Sequence, residues 1–419
     1  MVGPSVIWGK GRRFVAEHGV LGLLDFLACR TVKRLAPKTT QAVARWQLRR
    51  WLARQPAGKR PYILCSTLDW NYPYWQRPHH LALALSALGH PVVFVTPDAR
   101  WDRLLSLRPV SPGVALISSA EAALAVLPAP ALLLLSTDTR WNARHLATVR
   151  AAGGVVVYDY LDALDDSLSV SPITAERRAL HDALLADEAG TVVLSVSDIL
   201  AEEVAGRRLR HHGLVTNGVD LVPFLGAVRR LELRPDLAAV VSRQRPIIGY
   251  YGSLAAWLDY PLLLALAAAR PMYEVVVLGP DIDGSGKALA GGPANLHVLP
   301  GIAYGELPRH GIWFDVCLVP FLINDITLAT SPLKIFEYMA MGAPIVSTAM
   351  PECRKYASVA VAEDHAAFIA LVDRALADRD DPTLRERRLA EARANDWQGK
   401  ALYLSALVEG LLLEREGRP

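Results

Sequence analysis

Apolar residues along this chain gather in short unbroken runs, and most stretches between the runs carry apolar residues at helical spacing. The runs Tyr62–Cys65, Val92–Val95, Ala115–Ile117, Ala131–Leu135, Val155–Tyr158 and Val192–Val196 read as strands. Helical stretches lie between most of them, and strand, helix and strand in succession make βαβ units. Residues 61–218 are therefore predicted to form one doubly wound domain. A crossover at 219–245 leads to a second set of strands at Ile247-Ile248, Val275–Leu278, Leu296–Leu299, Asp315–Pro320 and Ile345–Ser347. Residues 364–394 are predicted helical with a break at D-R-D-D-P, and an amphipathic helix closes the chain from Trp397 to about Glu416. The fold class is α/β, with two Rossmann-like doubly wound domains at 61–218 and 219–396 and a helical extension over 1–60.

One stretch combines several signals. Thr327–Thr348 reads T-L-A-T-S-P-L-K-I-F-E-Y-M-A-M-G-A-P-I-V-S-T. Ser331 before Pro332 predicts a helix start, with serine as N-cap and proline first in the helix. Leu333, Phe336 and Ala340 keep helical spacing, and Gly342 with Pro344 stops it. A helix N-terminus offers unpaired N–H groups and partial positive charge, which suits a phosphate. Lys334 adds a full charge, and Glu337, one turn on, is placed to accept hydrogen bonds from sugar hydroxyls. The other reading is a capped surface helix bearing a 334/337 charge pair. In the first domain, Asp69, Trp70, Gln76, Arg77 and His79 fall at one strand's C-terminal end, where open parallel sheets bind ligands.

Charge changes the picture at one end only. Residues 1–60 hold 13 Lys/Arg against Glu17 and Asp25, leaving 32 basic against 40 acidic residues in the rest. Val20, Leu21, Leu24, Leu27 and Ala28 share a helical face, followed by Arg30, Lys33 and Arg34, and a second basic helix carries Trp46 and Trp51. This suits an anionic membrane surface or, equally, two helices packed on the body with a solvated basic side. No nucleic-acid motif accompanies the charge, and nucleic acid is not an expected partner.

The 419 residues suit two or three domains. Cys29, Cys65, Cys317 and Cys353 form no C-x-x-C pair and read as free thiols in a reducing compartment. No apolar run reaches the roughly 18 residues of a membrane span, and no signal-peptide pattern opens the chain. The expectation is a cytoplasmic enzyme, peripheral on the inner membrane face if the arm binds lipid.

Six stretches, in order, resemble the GT-B glycosyltransferases of the family 4 (group 1) branch that build bacterial polysaccharides. They are Q-R-P-H-H-L-A, V-Y-D-Y-L-D, N-G-V-D, G-Y-Y-G-S-L-A-A-W-L-D, F-D-V-C-L-V-P-F and S-P-L-K-I-F-E-Y-M-A-M-G-A-P-I-V-S-T, spread over residues 61–415. The resemblance implies a cleft between the domains, with the nucleotide sugar on the C-terminal domain, the acceptor on the N-terminal one, and the last helix crossing back. It implies that Glu337 binds the ribose and Lys334 the diphosphate, with Ser331 and Leu333 beside them. Gly252 and Ser253 then let backbone approach the phosphates and sugar. Trp70, Gln76, Arg77 and His79 fall on the acceptor side. The chain departs from the pattern at Ala329, where the family usually carries a second, sugar-binding glutamate. That departure leaves donor identity and retaining or inverting stereochemistry open. A histidine frequent in retaining members is missing from the V-Y-D-Y-L-D loop, which weighs toward an inverting carboxylate base. Asp162 is the first candidate, with Asp159 and Asp69 behind it. A helix cap in an acidic loop is the competing reading of Asp162.

Other signals carry less. Asp281-Ile282-Asp283 matches a metal-binding D-x-D by three residues only, and Gly286-Lys287 lacks the first glycine and the Ser/Thr of a P-loop. No G-x-G-x-x-G follows a strand, and the adjacent pairs His79-His80 and His211-His212 do not share a helical face. No metal or cofactor is expected. The expected activity is transfer of a sugar from a nucleoside diphosphate donor to a hydroxyl of a glycan or lipid-linked acceptor. The alternatives are a nucleotide-sugar epimerase and a non-catalytic scaffold of the same fold.

Overall fold

The computed structural model describes residues 4–417 apart from 67, 73, 97–100, 137–140, 142, 165–172 and 231, with side chains from residue 19 onward except that of 326. The first sheet comprises β1 (Tyr62–Cys65), β2 (Val92–Val95), β3 (Leu107–Ser111), β4 (Val114–Ile117), β5 (Ala131–Leu135), β6 (Val155–Tyr160), β7 (Thr191–Ser195) and β8 (His212–Leu214). Their order is β3-β4-β2-β1-β5-β6-β7-β8, and β3 alone runs antiparallel to its neighbour. The second sheet comprises β9 (Ile247–Tyr251), β10 (Glu274–Leu278), β11 (Leu296–Leu299), β12 (Val316–Val319), β13 (Ile345–Thr348) and β14 (Val359–Ala362). It is ordered β11-β10-β9-β12-β13-β14 and wholly parallel. Strand order reverses between β1 and β5 and between β9 and β12, and a crevice opens at the C-terminal ends of the strands at each such point. The two crevices face each other.

The central strands are unbroken apolar runs because both faces are covered; β1, β2, β5 and β10 are buried at every position. Three strands escaped the sequence pattern. β3, β8 and β14 lie toward or at the sheet edges and are only partly buried, so they lack a continuous apolar run.

The two chain crossings between domains are tied together. Val219 N–H donates to Asn395 C=O at 3.1 Å, and Trp397 N–H donates to Val219 C=O at 3.1 Å. Asp396 then caps the final helix, Trp397–Arg415, by accepting from Gly399 N–H at 2.8 Å. That helix returns to the first domain, where Trp397, Leu404, Val408 and Leu411 join the core beneath α3 (Arg77–Ala87).

The extension divides differently from the expected 1–60 unit. α1 (Pro4–Leu35) kinks at Gly19, whose φ is 70°. α2 (Pro37–Leu52) belongs to the body. Ala44, Leu48 and Trp51 are buried with Ile63, Val93 and Ile117 in the first domain's core. Of the two tryptophans assigned to a membrane face, Trp51 is therefore core, and only Trp46 is exposed, with Arg50 over its ring at 4.8 Å. Among the described residues no helix is long and apolar enough to cross a membrane.

Candidate functional site

A cavity of about 440 Å³ opens where the two switch points meet. Strand ends from both sheets line it: Ser66 after β1, Asp162 after β6, Gly252 after β9, Gly279 after β10, Gly301 after β11 and Phe321 after β12. The Leu333–Ala340 helix enters from the donor side with its first turn against the cavity. Ile335 N–H donates to Pro332 C=O at 3.3 Å, and the Leu333 and Lys334 N–H groups have no intrahelical acceptor.

The helix starts one residue later than expected. Pro332 is the N-cap and Leu333 the first helical residue, and no side chain caps the end. Ser331 is engaged elsewhere. Its hydroxyl accepts from Asn217 N–H at 3.2 Å, and its carbonyl accepts from the Asn217 amide at 2.7 Å, which ties the interdomain crossing to the start of this helix. Ser331 and Leu333 still line the cavity.

Lys334 and Glu337 are not the charge pair of a surface helix. Among the described residues Lys334 has no carboxylate within ion-pair distance. Its ammonium instead lies 4.8 Å from the Phe321 ring centroid and 5.3 Å from that of Tyr250. Burial lowers the Lys334 pKa to about 8, against the opposing charges of Glu337 and Cys353. Glu337 is 1% exposed, and burial raises its carboxyl to about 7, with Tyr251, Lys334 and Tyr304 pulling the other way. The Tyr251 and Tyr304 hydroxyls flank this carboxylate, yet neither reaches it in hydrogen-bond geometry. Glu337 Oε1 and both hydroxyls are buried and unpaired. An orphaned buried polar atom costs on the order of 1–3 kcal/mol, so three facing one cavity mark a place for a polar ligand.

Gly252 has φ 141°, and a Cβ there would come within 2.8 Å of the Tyr250 hydroxyl and 2.9 Å of Lys334 Cε. Glycine leaves room for both, and for backbone to approach a ligand. A Cβ on Gly279 would collide with the Gly252 carbonyl oxygen, so the two glycine turns form one thin wall. Ser253 lines the cavity and its carbonyl accepts from the Tyr250 hydroxyl at 2.9 Å.

On the acceptor side the expected residues separate into two groups. Gln76, Arg77 and Asp162 line the cavity; Asp69, Trp70, His79 and Asp159 do not. Asp159 is fully buried and accepts from Arg77 Nε at 2.8 Å and from its terminal nitrogen at 3.0 Å, so both carboxylate oxygens are committed. Arg77 also donates to Thr216 C=O at 3.0 Å. Asp69 accepts from Trp101 N–H at 2.8 Å and is buried. Neither carboxylate is placed as a base. Both hold loops. His79 Nδ1 lies 3.2 Å from Gln76 N and 3.3 Å from Gln76 C=O, and its Nε2 faces the Asp69 carbonyl at 3.2 Å. Trp70 packs on Trp75, His79 and Phe94. Among the described acidic residues of the first domain, Asp162 lines the cleft and is exposed. The surrounding protein and then the Asp159 charge raise its pKa.

Ala329 is buried and packs with the acceptor domain's apolar cluster. Asp281 and Asp283 turn onto their own loop, accepting from Gly284 and Ser285 N–H at 2.8 and 2.9 Å. Sequence reasoning missed Tyr251, Tyr304 and Gly279 as site residues. The strand ends Gly279-Pro280 and Pro300-Gly301 were the available signal; nothing local marked the tyrosines.

Two parallel-sheet Rossmann-like domains meeting across such a cleft, with the last helix crossing back, constitute the GT-B glycosyltransferase fold. Sucrose-phosphate synthase from Thermosynechococcus elongatus superposes with a TM-score of 0.61 at 16% identity, over 85% of this chain and 100% of that one. Trehalose 6-phosphate synthase from Burkholderia multivorans gives 0.60 at 12% identity over 85% and 100%. The Anabaena protein HepE, solved with UDP and glucose, gives 0.57 at 12% identity over 84% and 100%. In sequence, the chain is similar to TuaH of Bacillus subtilis (strain 168), assigned as a teichuronic acid biosynthesis glycosyltransferase, with 29% identity over 217 residues. That match covers 48% of this chain and 52% of TuaH, about half the length of the relative. No family model matches the chain.

Proposed function

We propose that the protein is a glycosyltransferase that moves a sugar from a nucleoside diphosphate donor to a hydroxyl of a glycan or lipid-linked acceptor in polysaccharide synthesis. The observation that carries this reading is the convergence in one cavity of a helix N-terminus, an ammonium without a carboxylate partner among the described residues, a glycine-walled turn and a buried carboxylate oxygen without a hydrogen-bond partner. The helix end and Lys334 supply the positive charge that a diphosphate leaving group needs as its bond to the sugar breaks. Glu337 accepts from the ribose hydroxyls. Asp162, across the cleft, takes the proton of the acceptor hydroxyl as that oxygen attacks the sugar's anomeric carbon. Arg77 neutralises Asp159, and among the described residues of this segment Asp162 is the carboxylate that lines the cleft.

The arm supports a membrane-side acceptor. On α1, Val20, Leu21, Leu24 and Leu27 are exposed in an apolar stripe, Arg30 and Arg34 of the same helix are exposed, and so is Lys38 at the start of α2. An apolar face flanked by cations matches an anionic lipid surface.

The test is thermal stabilisation of the purified protein by UDP, GDP, TDP and ADP, followed by the matching sugar nucleotides. A ligand that binds only the folded state raises the melting temperature. Stabilisation by one nucleoside diphosphate, and turnover of its sugar nucleotide with an acceptor, are expected. No stabilisation by any of them would refute the donor site.

A further inference from the structure

Tyr304 connects two halves of the molecule in a way that catalysis by Lys334, Glu337 and Asp162 does not use. It belongs to the donor domain, at the start of a short 3₁₀ turn, Tyr304–Glu306, after β11. Its ring stacks on Trp75 of the acceptor domain, with centroids 5.6 Å apart and planes within 5°. The same ring meets His80 edge-on at 4.9 Å, and His80 stacks on Trp397 at 5.2 Å. Next to it, the Tyr74 hydroxyl lies where a Cβ on Gly301 would be 2.6 Å away, so the 74–77 loop seats directly on the donor domain. The other end of Tyr304 is its hydroxyl, which like Glu337 Oε1 is buried without a hydrogen-bond partner, and both residues line the cavity.

We infer that Tyr304 is a positioning residue that couples occupancy of the nucleoside site to seating of the acceptor-side loop 74–77. The inference rests on the donor-site reading above. A ribose on Glu337 brings hydroxyls that pair with Oε1 and with the Tyr304 hydroxyl. Those bonds hold the ring in the orientation that stacks on Trp75. Trp75 precedes Gln76 and Arg77, which line the acceptor half of the cavity. Donor binding thereby fixes the acceptor half before the second substrate enters. Aromatic stacking of this kind is enough to shift a loop's docking several-fold.

Two substitutions separate the two ends. Tyr304→Phe keeps the ring and its stack and removes the hydroxyl. Trp75→Ala removes the stack and leaves the hydroxyl. The measurements are calorimetric titration with the nucleoside diphosphate that stabilises the wild type, and amide hydrogen exchange of residues 74–77 with and without it. Inorganic pyrophosphate serves as the probe that lacks ribose. The wild type is expected to gain protection at 74–77 with the nucleoside diphosphate and not with pyrophosphate. Tyr304→Phe should bind the nucleoside diphosphate about fivefold to tenfold more weakly while its melting temperature without ligand stays unchanged. Trp75→Ala should lose the ligand-induced protection with a smaller change in affinity. Unchanged affinity in Tyr304→Phe, or equal protection of the loop by pyrophosphate, overturns the coupling while leaving the donor site standing. A lower melting temperature with unchanged affinity assigns Tyr304 to packing and also overturns it. Absence of binding by the wild type itself refutes the donor-site reading, and the coupling with it.

Discussion

Lys334 and Glu337 belong to the same short helix, and burial moves their ionisations toward each other, to about 8 and about 7. Ribose hydroxyls donate best to an ionised carboxylate, and a diphosphate requires the ammonium. Binding therefore needs Glu337 deprotonated and Lys334 protonated, and the free protein holds that combination best between pH about 7 and about 8. Each pH unit beyond either edge should cost about tenfold in affinity, because one unit of pKa is worth about 1.4 kcal/mol. Isothermal titration with the nucleoside diphosphate across roughly pH 6 to 9 should give a bell. The diphosphate's own last ionisation, near pH about 6, contributes to the acid limb. Glu337→Gln separates the two, since an amide still accepts a hydroxyl hydrogen bond and does not titrate. Its acid limb should shift to the phosphate's alone, while the alkaline limb stays. The linkage has a second sign to check. Glu337 ionises at higher pH in the folded chain than in the unfolded one, so its contribution to stability falls as pH rises toward about 7. Lys334 loses its proton at lower pH when folded, so its contribution rises as pH climbs above about 8. The empty site is thus least favourable to stability in the window where it binds best. A wild-type affinity that is flat across the range, or an acid limb identical in Glu337→Gln, would refute the assignment.

Lys334→Ala should weaken nucleoside diphosphate binding by about 10-fold to 100-fold, the worth of a charged hydrogen bond, while uncharged nucleoside binds as before in the same titration. Asp162→Asn should lower turnover by about 10²- to 10⁴-fold with donor affinity unchanged; full turnover in a coupled assay would remove it as the base. Arg77→Met leaves Asp159 buried without its partner and should destabilise the protein by about 3–5 kcal/mol, read by denaturant unfolding, and Arg77→Met with Asp159→Leu should recover most of the loss. Leu21→Glu with Leu24→Glu should reduce co-sedimentation with vesicles containing anionic phospholipid and leave donor binding intact; equal co-sedimentation would remove α1 as the contact.

The strand ends that line the cleft lie where the apolar runs predicted them, and the resemblance to GT-B enzymes implied a cleft between the domains; the strand order that makes them switch points belongs to the tertiary structure. Glycine turns and the S-P-L-K-x-x-E run pointed to the cleft's donor half. The errors came where one residue had two plausible partners. Ser331 suits an N-cap by type, but Asn217, 114 positions away, takes its hydroxyl. Asp159 and Asp162 lie three residues apart in one acidic loop. Asp159 ends inside β6 and is buried against Arg77, whereas Asp162 lies past the strand and opens to the cleft. Trp46 and Trp51 both read as an interfacial pair until the core claimed Trp51.

The sequence by itself determined the α/β class, the central strands, the closing helix and the helix that carries Lys334 and Glu337. Each of those depends on short-range periodicity, capping or a buried run that needs no knowledge of distant residues. The tertiary structure alone decided which carboxylate is free, that α2 joins the core, and that Tyr251 and Tyr304 flank Glu337. Those outcomes depend on burial and on partners supplied by remote segments, and no local pattern encodes which side chain will be left without one.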